Sequence, residues 1–212
     1  MDINKLIQWV EPSIVQGFGP PPFHEACAQA TFAAAGRSAD DHRSFLARWN
    51  GCYALGGALH LFGARTDPPN QSLDAWNRAD GWRQCFGPLI DGVMFFAESA
   101  FGDQFGYRDG KVVRFKALEA RVERIAPDFS GWLEQVFIEP ARFVSLDLFH
   151  ECVQRHGPLP FGGHFGVLPM WVPGRPLRAS DTEVLPSRDN MELRAAAAMR
   201  ISSVSRIAAA RR

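Results

Sequence analysis

The segment from residue 92 to residue 115, GVMFFAESAFGDQFGYRDGKVVRF, constrains the fold more than any other part of the chain. Its Asp109-Gly110 pair separates two β-prone runs, and a two-residue turn of this composition is typical of a β-hairpin. Such a turn requires positive φ at both central residues, which aspartate tolerates and glycine adopts freely. The segment therefore predicts antiparallel strands on the two sides of Asp109-Gly110.

The same segment predicts a third strand and a corner. The continuous apolar run at residues 93–96, VMFF, is typical of a strand that is covered on both faces. Gly102, within Phe101-Gly102-Asp103, allows the backbone to bend between that strand and the next. Three antiparallel strands are therefore expected between residues 93 and 115.

Amphipathic helices are predicted on both sides of this segment. Apolar residues from His42 to Trp49 recur at helical spacing, and Asn50-Gly51 ends that helix because both residues accept the left-handed cap conformation. Asp128 caps a second helix over residues 129–137. Further helices are expected over residues 3–10, 23–36, 72–86 (weak, or broken near Gly81), 142–156 and 188–206, with short strands at 53–55 and 58–62 and a strand pair across Gly162-Gly163. These elements predict an α+β fold, with a twisted, mostly antiparallel sheet of five or six strands and helices on one face and around its ends.

Composition indicates one globular domain. The chain has 212 residues, of which 46% are hydrophobic, so it is long enough to bury a sizeable core. No apolar run approaches the ~20 residues of a membrane span, and the first residues lack the pattern of a signal peptide, so we expect a cytoplasmic protein. We divide the chain into a Pro-rich N-terminal extension (1–22), a domain (23–192) and a basic, Ala-rich tail (193–212) that offers little surface for burial.

Charge is unevenly distributed along the chain. Residues 194–212 hold five arginines and no acid, which leaves 18 basic and 23 acidic groups in residues 1–193, a net charge of −5. An acidic body argues against nucleic-acid binding and mildly favours a basic partner. Ordinary solvation of the surface explains the same charge balance.

The sequence predicts neither a metal site nor a cofactor site. The four cysteines are far apart and form no C-x-x-C, so we expect free thiols, Cys52 included. His150 and His156 are six residues apart, too far round a helix to share a zinc ion. His164 is interpreted as an exposed loop residue, and His60 as a strand residue that faces away from its apolar neighbours.

No catalytic residues are predicted. Glu98 and Asp103 are the closely spaced acids beside the aromatic strands, and a pair of carboxylates can perform acid–base chemistry. The simpler interpretation is that Asp103 hydrogen-bonds within a corner and that Glu98 ends a strand in water.

We instead predict that one stretch of the chain contacts a protein partner. Its acids would steer a basic partner, and its tryptophans would serve as anchors, since tryptophan is enriched at binding hot spots. The tryptophans could equally pack a weak helix onto the sheet. The predicted contact residues are Glu98, Asp103, Asp80, Asp91, Trp82 and Trp76.

Four pieces of the chain together resemble the SUKH superfamily. They are FLARWNG (45–51) followed by LHLFG (59–63), the run 93–99, FGDQFGY (101–107) and IAPDFSGWL (125–133), and the resemblance covers roughly residues 25–190. The superfamily includes a yeast cell-wall-assembly regulator, the SecY-interacting protein Syd, and many bacterial immunity proteins that act against secreted toxins.

The resemblance implies a non-enzymatic binding protein. The first expectation is an immunity protein that blocks a cognate toxin, and an acidic surface would suit a nuclease toxin, whose own surface must be basic to hold phosphates. A regulatory or scaffolding protein with a cellular partner is the second. An enzyme of unrecognised type is the third, although no constellation of residues supports it.

Overall fold

The computed structural model describes residues 2–18, 29–64, 71–168 and 175–209, with side chains described up to residue 198. It confirms the α+β fold. One antiparallel sheet of seven strands follows chain order, rather than the five or six strands expected. Its strands are β1 (Ile14–Gly17), β2 (Cys52–Ala54), β3 (Leu59–Leu61), β4 (Met94–Ser99), β5 (Gln104–Arg108), β6 (Lys111–Lys116) and β7 (Arg121–Ala126).

The described residues form eight α-helices. They are α1 (Ile3–Val10), α2 (Gln29–Ala35), α3 (Ala39–Arg48), α4 (Leu73–Trp76), α5 (Phe129–Ile138), α6 (Pro140–Val144), α7 (Leu146–His156) and α8 (Ser187–Ala209). The predicted Asp128 cap is confirmed, since its Oδ1 accepts a hydrogen bond from the Gly131 N–H at 2.8 Å. Ser145 adopts a left-handed conformation and divides the predicted 142–156 helix into α6 and α7. No helix within the described ranges is both long and apolar enough to cross a bilayer.

The central hairpin is confirmed. Arg108 pairs with Lys111 across the turn, and both turn residues have positive φ, +54° at Asp109 and +67° at Gly110. Both values fit the primed turn that suits the right-handed twist of the flanking strands. Phe101-Gly102-Asp103 also forms the predicted corner, with Gly102 at φ +85°.

Replacing Gly110 with valine should lower the free energy of unfolding by more than ~1 kcal/mol, because a β-branched residue resists positive φ. A Cβ at this position would meet no atom within 4 Å, so strain alone would cause the loss. Gly110→Asn is the matched control, since asparagine tolerates the left-handed region. Chemical denaturation of both variants measures the difference, and equal stability of Gly110→Val and wild type would contradict the turn assignment.

The predicted N-terminal extension belongs largely to the fold. Leu6 and Val10 of α1 are buried in the core, and β1 pairs with β2 at one edge of the sheet. The boundary between residues 22 and 23 lies outside the described residues. The prediction of a separate extension is wrong for residues 3–17, because the amphipathic face of α1 packs on α3 and α5.

One face of the sheet is covered by α1, α2, α3 and α5. The ring of Phe96 on β4 lies 4.8 Å from Trp132 of α5 and 5.3 Å from His42 of α3, centroid to centroid. Tyr107 on β5 places its hydroxyl 3.1 Å from His42 Nδ1. His42 is therefore a core residue, stacked on Phe129 at 4.6 Å.

Shorter elements cover the opposite face. The predicted 72–86 helix is reduced to α4 and a 3-10 turn (Trp82–Cys85), because Gly81 is extended between them (φ −95°, ψ −153°). Ser72 caps α4 as predicted, since its hydroxyl accepts a hydrogen bond from the Ala75 N–H. Trp82 and Phe86 pack on Phe95 and Phe115 of the sheet. Both faces of the sheet are therefore covered.

The C-terminal part differs most from expectation. The predicted strand pair across Gly162-Gly163 is wrong: β8 (Gly163–Val167) pairs with β9 (Thr182–Pro186) in a second, two-stranded sheet. Helix α8 crosses the predicted boundary at residue 193, and Arg194, Ala195 and Ala198 are buried. The prediction that the tail buries little is therefore wrong for residues 194–198, because α8 packs on β8 and on the 3-10 turn after α4.

Asn50 and Gly51 join α3 to the sheet, but the prediction that they cap the helix in a left-handed conformation is wrong, because α3 ends at Arg48 and its cap residue, Trp49, is extended. Gly51 has φ +85°, and Asn50 Oδ1 accepts a hydrogen bond from the Ala64 N–H at 2.7 Å. Gly63 lies directly against Asn50, and a Cβ built there would overlap the Asn50 carbonyl group. The two loops can approach this closely only because residue 63 has no side chain.

Candidate functional site

A buried polar cluster is centred on Glu98 of β4. Glu98 is 2% exposed, and its Oε1 lies 3.2 Å from His60 Nδ1 of β3 and 3.1 Å from Gln71 Nε2. Its Oε2 lies 3.1 Å from Gln104 Nε2 of β5 and 3.1 Å from His164 Nε2 of β8. The expectation that Glu98 ends a strand in water is wrong, and so is its expected role as a surface contact.

The interpretation of His164 as an exposed loop residue is wrong, whereas His60 is the alternating strand residue that the sequence predicts. His164 is 1% exposed, because Phe165 N on the same strand donates to Ala100 O and holds β8 against the main sheet. His60 is 3% exposed and stacks on Tyr53 with ring centroids 4.0 Å apart. Strand alternation turns His60 away from its neighbours as expected, but the face to which it turns is covered.

The electrostatics of the cluster favour a carboxylate anion. Burial acts to raise the pKa of Glu98, but the electrostatic effect of His164 and the contacts with both histidines outweigh burial and lower that pKa to about 2. Burial lowers the pKa of His60, although Glu98 acts in the opposite direction. Glu98 therefore stays ionised at neutral pH, with polar partners on both oxygens.

A second layer of polar side chains fastens this cluster to α8. Asn190 Nδ2 lies 3.0 Å from His164 Nδ1, and Arg194 Nε donates to Asn190 Oδ1 at 3.3 Å. A Cβ on Gly102 would come within 2.9 Å of Asn190 Nδ2 and 3.2 Å of Arg194 Nε. The glycine at the predicted corner thus serves a second purpose, because it makes room for α8.

The cluster supports a pocket on the protein surface, which we call the tryptophan pocket. Trp76 Nε1 donates to Gln104 Oε1 at 2.7 Å, and Trp82 Nε1 donates to the Trp76 carbonyl at 3.2 Å. Both indole N–H groups therefore point inward. The pocket has a volume of about 320 Å³ and is lined by Ala75, Trp76, Arg78, Asp80, Gly81, Trp82 and Arg188.

The pocket brings together three of the six predicted contact residues, namely Trp76, Asp80 and Trp82. The tryptophans are not free surface anchors as one interpretation had it, since they are 3% and 2% exposed. They are core side chains that reach solvent at the pocket. Asp80 lies on the rim, where Arg78 donates to both of its oxygens at 2.9 and 2.7 Å.

The other acids are not part of this pocket. Asp103 is partly buried, and its side chain accepts hydrogen bonds from Arg114 of β6, which offsets its charge. Only its backbone N–H bonds within the predicted corner, to Ser99 Oγ at 3.2 Å. Asp91 is exposed, and the Arg108 guanidinium donates to its backbone carbonyl. Asp80 and Asp91 therefore remain the predicted surface acids.

The described residues contain no group of three or more histidine, cysteine, aspartate or glutamate side chains arranged to hold a metal ion. His156 ends α7, and its Nε2 lies 3.1 Å from the Ala179 carbonyl oxygen. Cys52, Cys85 and Cys152 are free thiols, and Cys27 lies outside the described residues. Burial raises the pKa of the Cys52 thiol, which disfavours the thiolate that a nucleophile requires.

Sequence reasoning missed Gln71, Gln104, Arg188 and Asn190. Gln104 begins its strand directly after Asp103, so the local sequence gives no sign that its side chain is buried. The rest come from segments whose pairing with the sheet leaves no local pattern.

Comparisons with known proteins show the fold alone. No protein-family model matches the chain, and no curated protein matches it. The crystal structure of Atu4351 from Agrobacterium tumefaciens matches with a TM-score of 0.57, covering 86% of this chain and 85% of that chain at 13% sequence identity.

Proposed function

We propose that this chain is a protein-binding module that neutralises a cognate secreted toxin by direct contact. The observation that carries the proposal is the tryptophan pocket, a surface recess whose aromatic floor is held rigid by the Glu98 cluster. Binding sites gain affinity when they are ordered before the partner arrives, because less conformational entropy is lost on association. The resemblance to SUKH immunity proteins supplies the class of partner, and neutralisation would take place in the cytoplasm.

The pocket has the properties of a site for one anchoring side chain. Its floor is aromatic, and its indole N–H groups are already satisfied by Gln104 and by the Trp76 carbonyl. A partner therefore meets no unpaired polar group on the floor, which removes a desolvation penalty from binding. Anchors at protein interfaces fill pockets of this kind.

We infer that binding, rather than catalysis, is the activity. Glu98, His60 and His164 have the residue types of an acid–base site, but they are 2%, 3% and 1% exposed. A substrate cannot approach these groups without displacing β8 and α8. The cluster serves the module by positioning Trp76 through Gln104.

The exposed acids Asp80 and Asp91 would steer the toxin. Asp80 lies on the rim and Asp91 follows the 3-10 turn Gly87–Ile90. A nuclease toxin would be drawn to these acids, since its surface is basic. Glu98 and Asp103 contribute nothing to steering in this proposal, because Glu98 is buried and Asp103 is mostly buried against Arg114, whereas Asp80 is paired with Arg78 but remains exposed to solvent.

The first step of the test is to establish whether the reading frame next to this one encodes a secreted toxin, which is then purified. We expect the purified toxin and chain to form a complex and the chain to protect growing cells from that toxin. Asp80→Lys and Asp91→Lys should each slow association by about three- to tenfold at low salt, with an unchanged melting temperature. Stopped-flow kinetics at two salt concentrations measures this.

Asp147→Lys is the matched control, because it makes the same charge change at an exposed position on α7. It should leave the association rate unchanged. Equal slowing by all three variants would mean that only net charge matters, and that this face is not the interface. No complex and no protection would reject the toxin-neutralising function itself.

A further inference from the structure

We propose that the tryptophan pocket receives a carboxylate-bearing side chain of the partner, so that an acidic residue of the toxin anchors there. This inference rests on the proposed function and adds the chemistry of the contact. It differs from steering, which concerns the whole charge of the two surfaces.

The recess accepts one side chain with an apolar portion. Ala75, Gly81 and the two indoles supply its apolar lining. Gly81 keeps the recess open because it carries no side chain. A Cβ built at Gly81 would lie 3.5 Å from the nearest atom, the Arg78 carbonyl oxygen. The methylene groups of an incoming side chain can therefore lie against the rings of Trp76 and Trp82.

The rim offers hydrogen-bond donors in excess of acceptors. Both oxygens of Asp80 accept from Arg78, and Arg188 Nε donates to Glu192 Oε1 at 3.0 Å. Each guanidinium carries more N–H groups than these contacts use. Arg78 and Arg188 are also more than half exposed, so their remaining donors are open to a ligand.

The sign of the charge at the lining points the same way. The lining includes two arginines and one aspartate, and Arg188 is close enough to Asp80 to act on it electrostatically. Glu192 offsets part of the charge of Arg188 but is not itself a lining residue. A lysine or arginine of the partner would meet like charge on two sides. A carboxylate would instead find two guanidinium groups, the partners with which it forms its strongest side-chain hydrogen bonds.

The test uses two small probes of matched shape and opposite charge, 3-phenylpropionate and 3-phenylpropylamine. Each is titrated into the whole protein while the indole N–H resonances of Trp76 and Trp82 are followed by NMR. We expect the acid to shift these resonances in a saturable manner and the amine to bind at least about tenfold more weakly. The Arg188→Gln variant should bind 3-phenylpropionate about three- to tenfold more weakly than wild type.

Ala75→Leu is the blocking variant. Ala75 is partly exposed at the pocket, so a longer side chain there fills the recess while every charge is retained. Its melting temperature should equal that of wild type, and its indole resonances should no longer respond to the acid. Asp147→Lys again serves as the control for charge elsewhere.

Three results would overturn the inference: no saturable shift with the acid, equal or stronger binding of the amine, or an unchanged response in Ala75→Leu. The probes require no toxin, so they fail or succeed independently of the proposed function. Toxin binding without a response to the acid would reject the carboxylate anchor and leave the binding module in place.

Discussion

Gly63→Ala is expected to abolish the folded state, or to lower the free energy of unfolding by more than about 4 kcal/mol. The added methyl group would overlap the carbonyl of Asn50 and lie 2.7 Å from Asn50 Oδ1. A backbone carbonyl cannot rotate away as a flexible side chain can. The loop after α3 would therefore have to move, which breaks the Asn50 hydrogen bond to the Ala64 N–H.

Gly81→Ala is the matched control for this prediction. It makes the same chemical change at a glycine with negative φ, where the added Cβ makes an ordinary contact at 3.5 Å. Its free energy of unfolding should stay within about 1 kcal/mol of wild type. Urea denaturation of both variants measures the difference in stability. A folded Gly63→Ala variant of normal stability would show that the loops containing Asn50 and Gly63 are less closely packed than described.

Acidification below pH 6.5 is expected to destabilise the protein strongly, and His42 is expected to be the main cause. Burial lowers the pKa of His42 to about 3, from 6.5 in the unfolded chain. A histidine with a depressed pKa in the folded state stabilises the fold above pH 6.5, and that contribution is lost as pH falls towards 3. The full loss amounts to roughly 4–5 kcal/mol, since each pKa unit corresponds to about 1.4 kcal/mol.

The cluster at Glu98 adds to this effect in a lower range. The pKa of Glu98 is depressed to about 2. Its contribution to the stability of the fold is therefore present above pH 4.5 and is lost as pH falls from 4.5 towards 2. Burial lowers the pKa of His60 as well, which makes His60 a second source of acid sensitivity with the same sign as His42. Unfolding in acid should therefore proceed in two overlapping ranges.

His42→Gln separates these contributions. Glutamine keeps a polar partner for the Tyr107 hydroxyl but does not titrate. Between pH 6 and pH 4, the number of protons taken up on unfolding, which sets the slope of unfolding free energy against pH, should therefore fall by about one. His150→Gln, at an exposed position on α7, should leave the slope unchanged. Urea denaturation at intervals of half a pH unit measures the slopes. An unaltered slope in His42→Gln would assign the acid sensitivity to other groups.

The hairpin and the helix caps could be predicted from the sequence because their signals are local. A two-residue turn between antiparallel strands requires positive φ, which Asp109 and Gly110 accept, and Asp128 directly precedes the helix that it caps. The number of strands was less predictable. Strand β1 has only four residues, and no alternation of apolar residues distinguishes it from a loop.

The buried cluster could not be predicted, because the partners of Glu98 come from distant parts of the chain. His60 is 38 residues away and becomes its neighbour only when β3 pairs with β4. His164 and Asn190 depend on the docking of β8 and α8, which no local pattern specifies. An isolated glutamate next to apolar strand residues reads as exposed until its hydrogen-bond partners are known.

The order of strands in the main sheet has a consequence for how the protein is made. Each strand pairs with the one that precedes it, so the whole sheet can form by pairing of consecutive strands before residues 163–198 are in place. Until those residues dock, the carboxylate of Glu98 lies on an uncovered sheet surface and keeps its water. Docking of β8 and α8 is then the step at which that water is expelled, and we expect it to be the last event in folding.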